Sequence, residues 1–71
     1  MPLREQLERL VDEMVSKGIR YDEAVREFEK KFIAQVLLKA DGNLGKAADL
    51  LGIHRNTLAR KMSEYRLRRS A

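Results

Sequence analysis

Asn43-Leu44-Gly45-Lys46-Ala47-Ala48-Asp49-Leu50-Leu51-Gly52-Ile53-His54-Arg55-Asn56-Thr57-Leu58-Ala59-Arg60-Lys61-Met62-Ser63-Glu64-Tyr65 is the stretch whose reading decides the fold. A short helix places a small residue, Ala48, four positions before Gly52. That spacing suits a helix-turn-helix: Ala48 lets a second helix cross closely, and Gly52 accepts the positive φ of a tight turn. Ile53 and Leu58 follow as apolar pins. The second helix, starting at His54 or Arg55, turns Leu58, Met62 and Tyr65 inward. It exposes Arg55, Asn56, Thr57, Arg60 and Lys61, side chains whose donors meet phosphates and base edges. Asn43 is a good N-cap for the first helix of the pair, which runs to about Leu51 with Leu44, Ala47, Ala48 and Leu51 on its inner face.

Upstream, Pro2 suits a first helical position. Leu3, Leu7, Leu10 and Met14 recur at heptad-like spacing, widened by Val11 and Val15, with Glu5, Glu8, Arg9, Asp12 and Glu13 on the wet side. Gly18 is placed to stop this helix. A long second helix starts at Tyr21 or Asp22, with a stripe of Tyr21, Val25, Phe28 and Phe32. From Phe32 to Leu38 the chain is apolar on nearly every side, broken by Gln35. A helix apolar all round is covered on several sides. One chain of 71 residues supplies little to cover it with, so a second copy is expected. Asp41-Gly42 ends this helix, with Gly42 expected in the left-handed position. Gly45 is read as permitting a close backbone approach, and the tail from Arg66 to Ala71 is expected to fray.

The expected fold is therefore all-α, with four helices. Residues 1–41 form a helical pair that builds an intertwined homodimer core, residues 42–67 form the helix-turn-helix, and residues 68–71 form a basic tail. Leu3, Leu7, Leu10, Met14, Val25, Phe28, Phe32 and Val36 are the expected dimer interface.

Charge divides the chain in the same place. The formal net charge is +4. Residues 1–40 hold eight basic and eight acidic side chains, whereas residues 41–71 hold seven basic and three acidic ones. All the excess lies in the helix-turn-helix and tail, which suits a polyanion-binding module joined to a neutral assembly module. The sequence has no cysteine, which excludes disulfides and thiolate metal sites, and a lone His54 makes no metal site. No metal or cofactor is expected. Nor is a membrane span or an enzyme: there is no long apolar run, no paired-carboxylate pocket, no nucleophile–His pair and no phosphate-cradling glycine loop. The expected location is the cytoplasm, at the bacterial nucleoid.

The run Gly42-Asn43, Lys46-Ala47-Ala48, Leu51-Gly52-Ile53, Arg55, Thr57-Leu58, Arg60-Lys61-Met62 and Tyr65 resembles the Fis-type helix-turn-helix. That family includes a nucleoid protein and the C-terminal DNA-binding domains of NtrC-like enhancer-binding proteins. The resemblance is strongest over residues 42–67 and extends more loosely to Pro2-Leu3-Arg4 and Glu27-Phe28-Glu29. It implies a homodimer whose helix-turn-helices enter successive major grooves and bend the duplex. It also implies base contacts from Arg55 and His54, to which the exposed donor set of the second helix adds Asn56. Phosphate contacts would come from Asn43, Thr57 and Arg60, flanked by Lys61; Lys46, read from its position alone, is either a solvated charge or a further phosphate contact. The chain departs from the nucleoid protein at His54 (asparagine there), Ala59 (arginine there), Ser63 and Glu64 (lysines there), and Lys31, in the region of that protein's helix-kinking proline. Ala59, Arg60 and Glu64 look more like the enhancer-binding branch.

Three functional readings follow from the residues. The leading one is a DNA-bending dimer acting in transcription or nucleoid organisation. The second is the DNA-binding end of a larger NtrC-like activator, against which the Met-Pro-Leu start counts mildly. The third is a helical protein-interaction module whose basic face meets an acidic partner protein.

Overall fold

The computed structural model describes residues 2–67, and the expectation for the tail at 68–71 lies outside them. Four α-helices follow in order: α1 (Leu3–Ser16), α2 (Tyr21–Lys39), α3 (Leu44–Leu51) and α4 (Arg55–Tyr65). No strand occurs among the described residues.

All four helices end in the same way. In each, the last carbonyls are taken up by two N–H groups from beyond the helix, in nested 6→1 and 5→2 loops. For α1 the donors are Ile19 to Met14 and Gly18 to Val15; for α3 they are Ile53 to Ala48 and Gly52 to Asp49. The device needs one left-handed residue, and Gly52 at φ 74° supplies it in the turn between α3 and α4. At the end of α2 two successive residues are left-handed. Gly42 is left-handed as expected, at φ 76°, and donates the outer hydrogen bond to Leu37; Asp41 before it is left-handed too, at φ 52°, and donates the inner one to Leu38. Aspartate tolerates that conformation better than most side chains, so the reversal is not confined to a glycine. The end of α4 closes in the same way. Arg66 adopts φ 56°, and the Leu67 N–H reaches the Met62 carbonyl at 2.8 Å.

Ile33 and Leu37 of α2, Ala40 at its C-cap, Ala47 and Ala48 of α3, and Leu58 and Met62 of α4 are buried together. Val36, Leu44, Leu51, Ile53, Tyr65 and Leu67 pack around them. Ala47 and Leu58 are fully enclosed. Small residues on α3 bring the axes close enough for Leu58 to fill the space between them. Gly45 does not mark a close backbone approach within the chain: a Cβ there would meet only Asn43 Oδ1, at an ordinary 3.5 Å.

The all-round apolar segment of α2 divides its faces. Ile33 and Leu37 point into the chain's own core, whereas Phe32 and Leu38 are exposed. No residue of α1 is buried. Leu3, Leu7, Leu10, Val25, Phe28 and Phe32 are all exposed in the single chain, Leu3 at 81%. Met14 is half-buried. Val36, expected with this set, is half-buried and packs partly against the chain's own core. Apolar surface is thus left open along two helices, more than isolated surface leucines would leave.

Candidate nucleic-acid interface

Two polar caps build the exposed edge of the helix-turn-helix. Asn43 Oδ1 accepts from the Lys46 N–H at 3.0 Å and starts α3. His54 Nδ1 accepts from the Asn56 N–H at 3.0 Å and starts α4. Each cap satisfies an N–H that the helix has no carbonyl to pair. Each also sets what remains of its side chain. With its oxygen committed, Asn43 offers its NH2 group; with Nδ1 committed, a neutral His54 ring carries its proton on Nε2. Both caps thus present donors outward, which suits an acceptor-rich surface of phosphates and purine edges.

α4 begins at Arg55, one residue after its cap. Leu58 and Met62 fix its buried side, so the 3.6-residue period turns Arg55, Asn56, Ala59, Arg60 and Ser63 to solvent. Lys46 is exposed on the first turn of α3. Thr57 is half-buried. Among the described residues, Lys46, Arg55 and Arg60 enter no ion pair. Asn43, Lys46, His54, Arg55, Asn56 and Arg60 therefore lie on exposed positions at the starts and along the outer side of the two helices.

Lys61 is placed differently. Its Nζ lies 3.1 Å from Glu29 Oε1 on α2, with both side chains about 70% buried. The same carboxylate oxygen accepts from the Tyr65 hydroxyl at 2.5 Å. Hydrogen bonds from Tyr65 and then from Lys61 hold the Glu29 carboxyl below its usual range. The bond to Glu29 pushes the Tyr65 hydroxyl up to about 12. One turn earlier on α2, the Arg26 guanidinium lies 5.6 Å from the centre of the Tyr65 ring and 3.8 Å from Glu64. A clamp of five side chains joins α2 to the C-terminal half of α4.

Sequence reasoning missed this clamp, although a signal for it exists. Glu29, Ile33, Leu37 and Ala40 recur at 4, 4 and 3, so a carboxylate extends the stripe that faces the core. An inward tyrosine on α4 needs a partner for its hydroxyl. Together the two observations point Glu29 at Tyr65.

No helix among the described residues is long and apolar enough to cross a membrane. Comparison with known proteins adds the following. A family profile described as "Bacterial regulatory protein, Fis family" matches residues 24–65, from the first turns of α2 to the end of α4. A Fis-like protein of Xylella fastidiosa is 47% identical over 47 residues, covering 66% of this chain and 52% of that protein. The DNA-binding transcriptional regulator NtrC of Azospirillum brasilense is 45% identical over 53 residues, covering 75% of this chain and 11% of the regulator. The regulator of the same name from Rhizobium meliloti is 39% identical over 74 aligned positions, covering 97% of this chain and 15% of the regulator. The chain thus spans about half the length of its Fis-like relative and a small part of the NtrC regulators. No solved structure matches.

Proposed function

The chain belongs to the Fis family of bacterial regulatory proteins, and from that premise we propose that it binds and bends duplex DNA as a homodimer, in transcription regulation or nucleoid organisation. The observation that carries this reading is the exposed start of α4. There His54, Arg55 and Asn56 stand in a row on a helix anchored by Leu58 and Met62. Arg55 meets a base edge, guanine being the natural partner for a bidentate guanidinium, at about 1–3 kcal/mol of discrimination. His54 donates from Nε2 beside it, and Asn56 completes the base-facing set. Asn43, Lys46, Thr57 and Arg60 take phosphates. Lys61 contributes less than its position suggests, because Glu29 neutralises it.

Residues 1–41 assemble the dimer through the open apolar faces of α1 and α2, and residues 42–67 carry the DNA contacts. Two subunits place two α4 helices on one side of the assembly, in successive major grooves about one helical turn apart.

Selection of bound sites from random duplexes, followed by titration of the selected site against salt, tests this. With Lys46 and Arg60 on phosphates and Lys61 partly withdrawn, a dimer neutralises four to six phosphates. The slope of log K against log salt is then about −4 to −5. Half-site symmetry in the selected sequences is the expected mark of a dimer. A slope near zero overturns the reading in favour of a helical module that binds an acidic protein.

A second reading rests on one observation: the similarity to NtrC of Rhizobium meliloti runs through 97% of the chain. On that reading the domain is the DNA-binding end of a larger activator. The full reading frame in the genome distinguishes the two.

A further inference from the structure

Helix α4 is held in two places. Leu58 and Met62 anchor it to α3 and the core, and the Glu29 clamp anchors its far end to α2. The second anchor bypasses α3. It ties α4 directly to the helix that carries Val25, Phe28 and Phe32, which are exposed one face away from Glu29.

Geometry gives this tie leverage. Leu58, fully enclosed, acts as a pivot. At 1.5 Å per residue Tyr65 lies about 10 Å from it along the axis, on the opposite side from Arg55. A swing of about 10° at the pivot moves the Tyr65 end by roughly 2 Å, and the Arg55 side chain moves the other way. In a two-fold assembly the two recognition helices move in opposite senses, so the error in their separation doubles.

The chemistry of the clamp matches a positioning task. Two donors from successive turns of α4, Lys61 Nζ and Tyr65 Oη, converge on one oxygen of one α2 carboxylate. Arg26 closes the ring side of Tyr65 and reaches Glu64. Convergent charge-assisted bonds resist both roll and tilt of a helix, which a single apolar stripe does not.

Building on the proposed DNA-binding role, we propose that Glu29 is a positioning residue. It sets the angle of α4 against the dimer helix, and so the half-site separation that the two subunits read, and in doing so it withholds Lys61 from the phosphates. Glu29 touches no DNA.

Two readouts test this. The first needs no DNA. The natural sequence has no cysteine, so spin labels on Lys31→Cys and Ser63→Cys report the α2–α4 distance within one subunit when labelled chain is diluted into unlabelled. Both positions are exposed. Glu29→Ala broadens the distance distribution, and Tyr65→Phe broadens it partly. The second readout compares affinity for the selected site with affinity for the same half-sites moved one base pair apart. The unsubstituted protein discriminates by roughly tenfold, the order of a one-base-pair defect. Glu29→Ala cuts this to less than about threefold, and frees two Lys61 side chains per dimer to steepen the salt slope by about 2.

Glu29→Gln keeps an acceptor for Tyr65 and should preserve spacing discrimination while still steepening the slope. A folded, dimeric Glu29→Ala protein with an unchanged distance distribution and unchanged discrimination overturns the proposal. If that variant does not fold, Tyr65→Phe, which keeps the ring and loses one hydroxyl, decides the matter by the same two readouts. If the unsubstituted protein binds no duplex, the DNA-binding reading falls and spacing control falls with it. The label distances then still decide whether Glu29 positions α4.

Discussion

Phe28→Ala is the perturbation that most directly tests assembly. Phe28 is 54% exposed in the single chain and lies outside the core cluster, so truncating it leaves the subunit's own packing intact. Its ring lies 5.3 Å from that of Phe32, tilted by 46°, so the two form one exposed aromatic ridge. A phenylalanine contributes about 200 Å² when buried, of which roughly 100 Å² is open here. If a partner subunit covers that area, each copy supplies about 2.5 kcal/mol at ~25 cal/mol per Å². The substitution enters a symmetric dimer twice, and the remaining alanine recovers a little, so dimer formation loses about 4 kcal/mol. At 1.4 kcal/mol per factor of ten, the dimer dissociation constant rises about a thousandfold. Sedimentation equilibrium across a concentration series measures this. Melting temperature read at several protein concentrations adds a check, because unfolding coupled to dissociation depends on concentration. An unchanged dissociation constant for a folded Phe28→Ala protein would refute the reasoning, and would mean that the exposed ridge is not the interface.

The other predictions concern contacts, backbone and titration. Arg55→Ala relaxes base preference by about 1–3 kcal/mol at its position, whereas Arg60→Ala weakens all sequences alike and makes the dimer's salt slope shallower by about 2; titrations on selected and scrambled duplexes separate the two. Gly52→Ala meets no atom within 4 Å, so its cost is the left-handed strain alone, about 1 kcal/mol and a melting temperature lower by roughly 4–8 °C in thermal unfolding. Tyr65 holds its proton more tightly in the folded chain, up to about 12 against an ordinary 10, so its contribution is complete below pH 10 and is lost as pH rises from there to about 12. Glu29 has the opposite sign: its carboxyl is lowered from 4.5, so its contribution is present above that value and is lost as pH falls below it. Denaturation midpoints across pH should show the alkaline fall shrink in Tyr65→Phe and the acid fall shrink in Glu29→Gln.

Much of the architecture is set by features that act over a few residues, and these are legible without coordinates. The Ala48–Gly52 spacing, the Asn43 cap and the 58/62/65 stripe each follow from local sterics or helical period, and the structure places those residues in the turn, at the cap and against the core. Local rules were less complete at the end of α2. Gly42 is left-handed as expected, but Asp41 before it is left-handed as well, because the hydrogen-bond register at the end of α2 makes it the first residue past the cap.

Tertiary structure alone decided two matters. The first is how the apolar length of α2 is shared: periodicity shows apolar residues on every side, but only packing against α3 and α4 assigns Ile33 and Leu37 to the chain's own core and leaves Phe32 outside. The second is the state of Lys61. In sequence it is one more cation beside Arg60; in space it lies against a carboxylate 32 residues away. Local sterics and helical period act within a few turns, so the sequence by itself specifies the helices and their caps. The pairing of charges on different helices depends on the angle at which they cross, and that angle exists only once the core has closed.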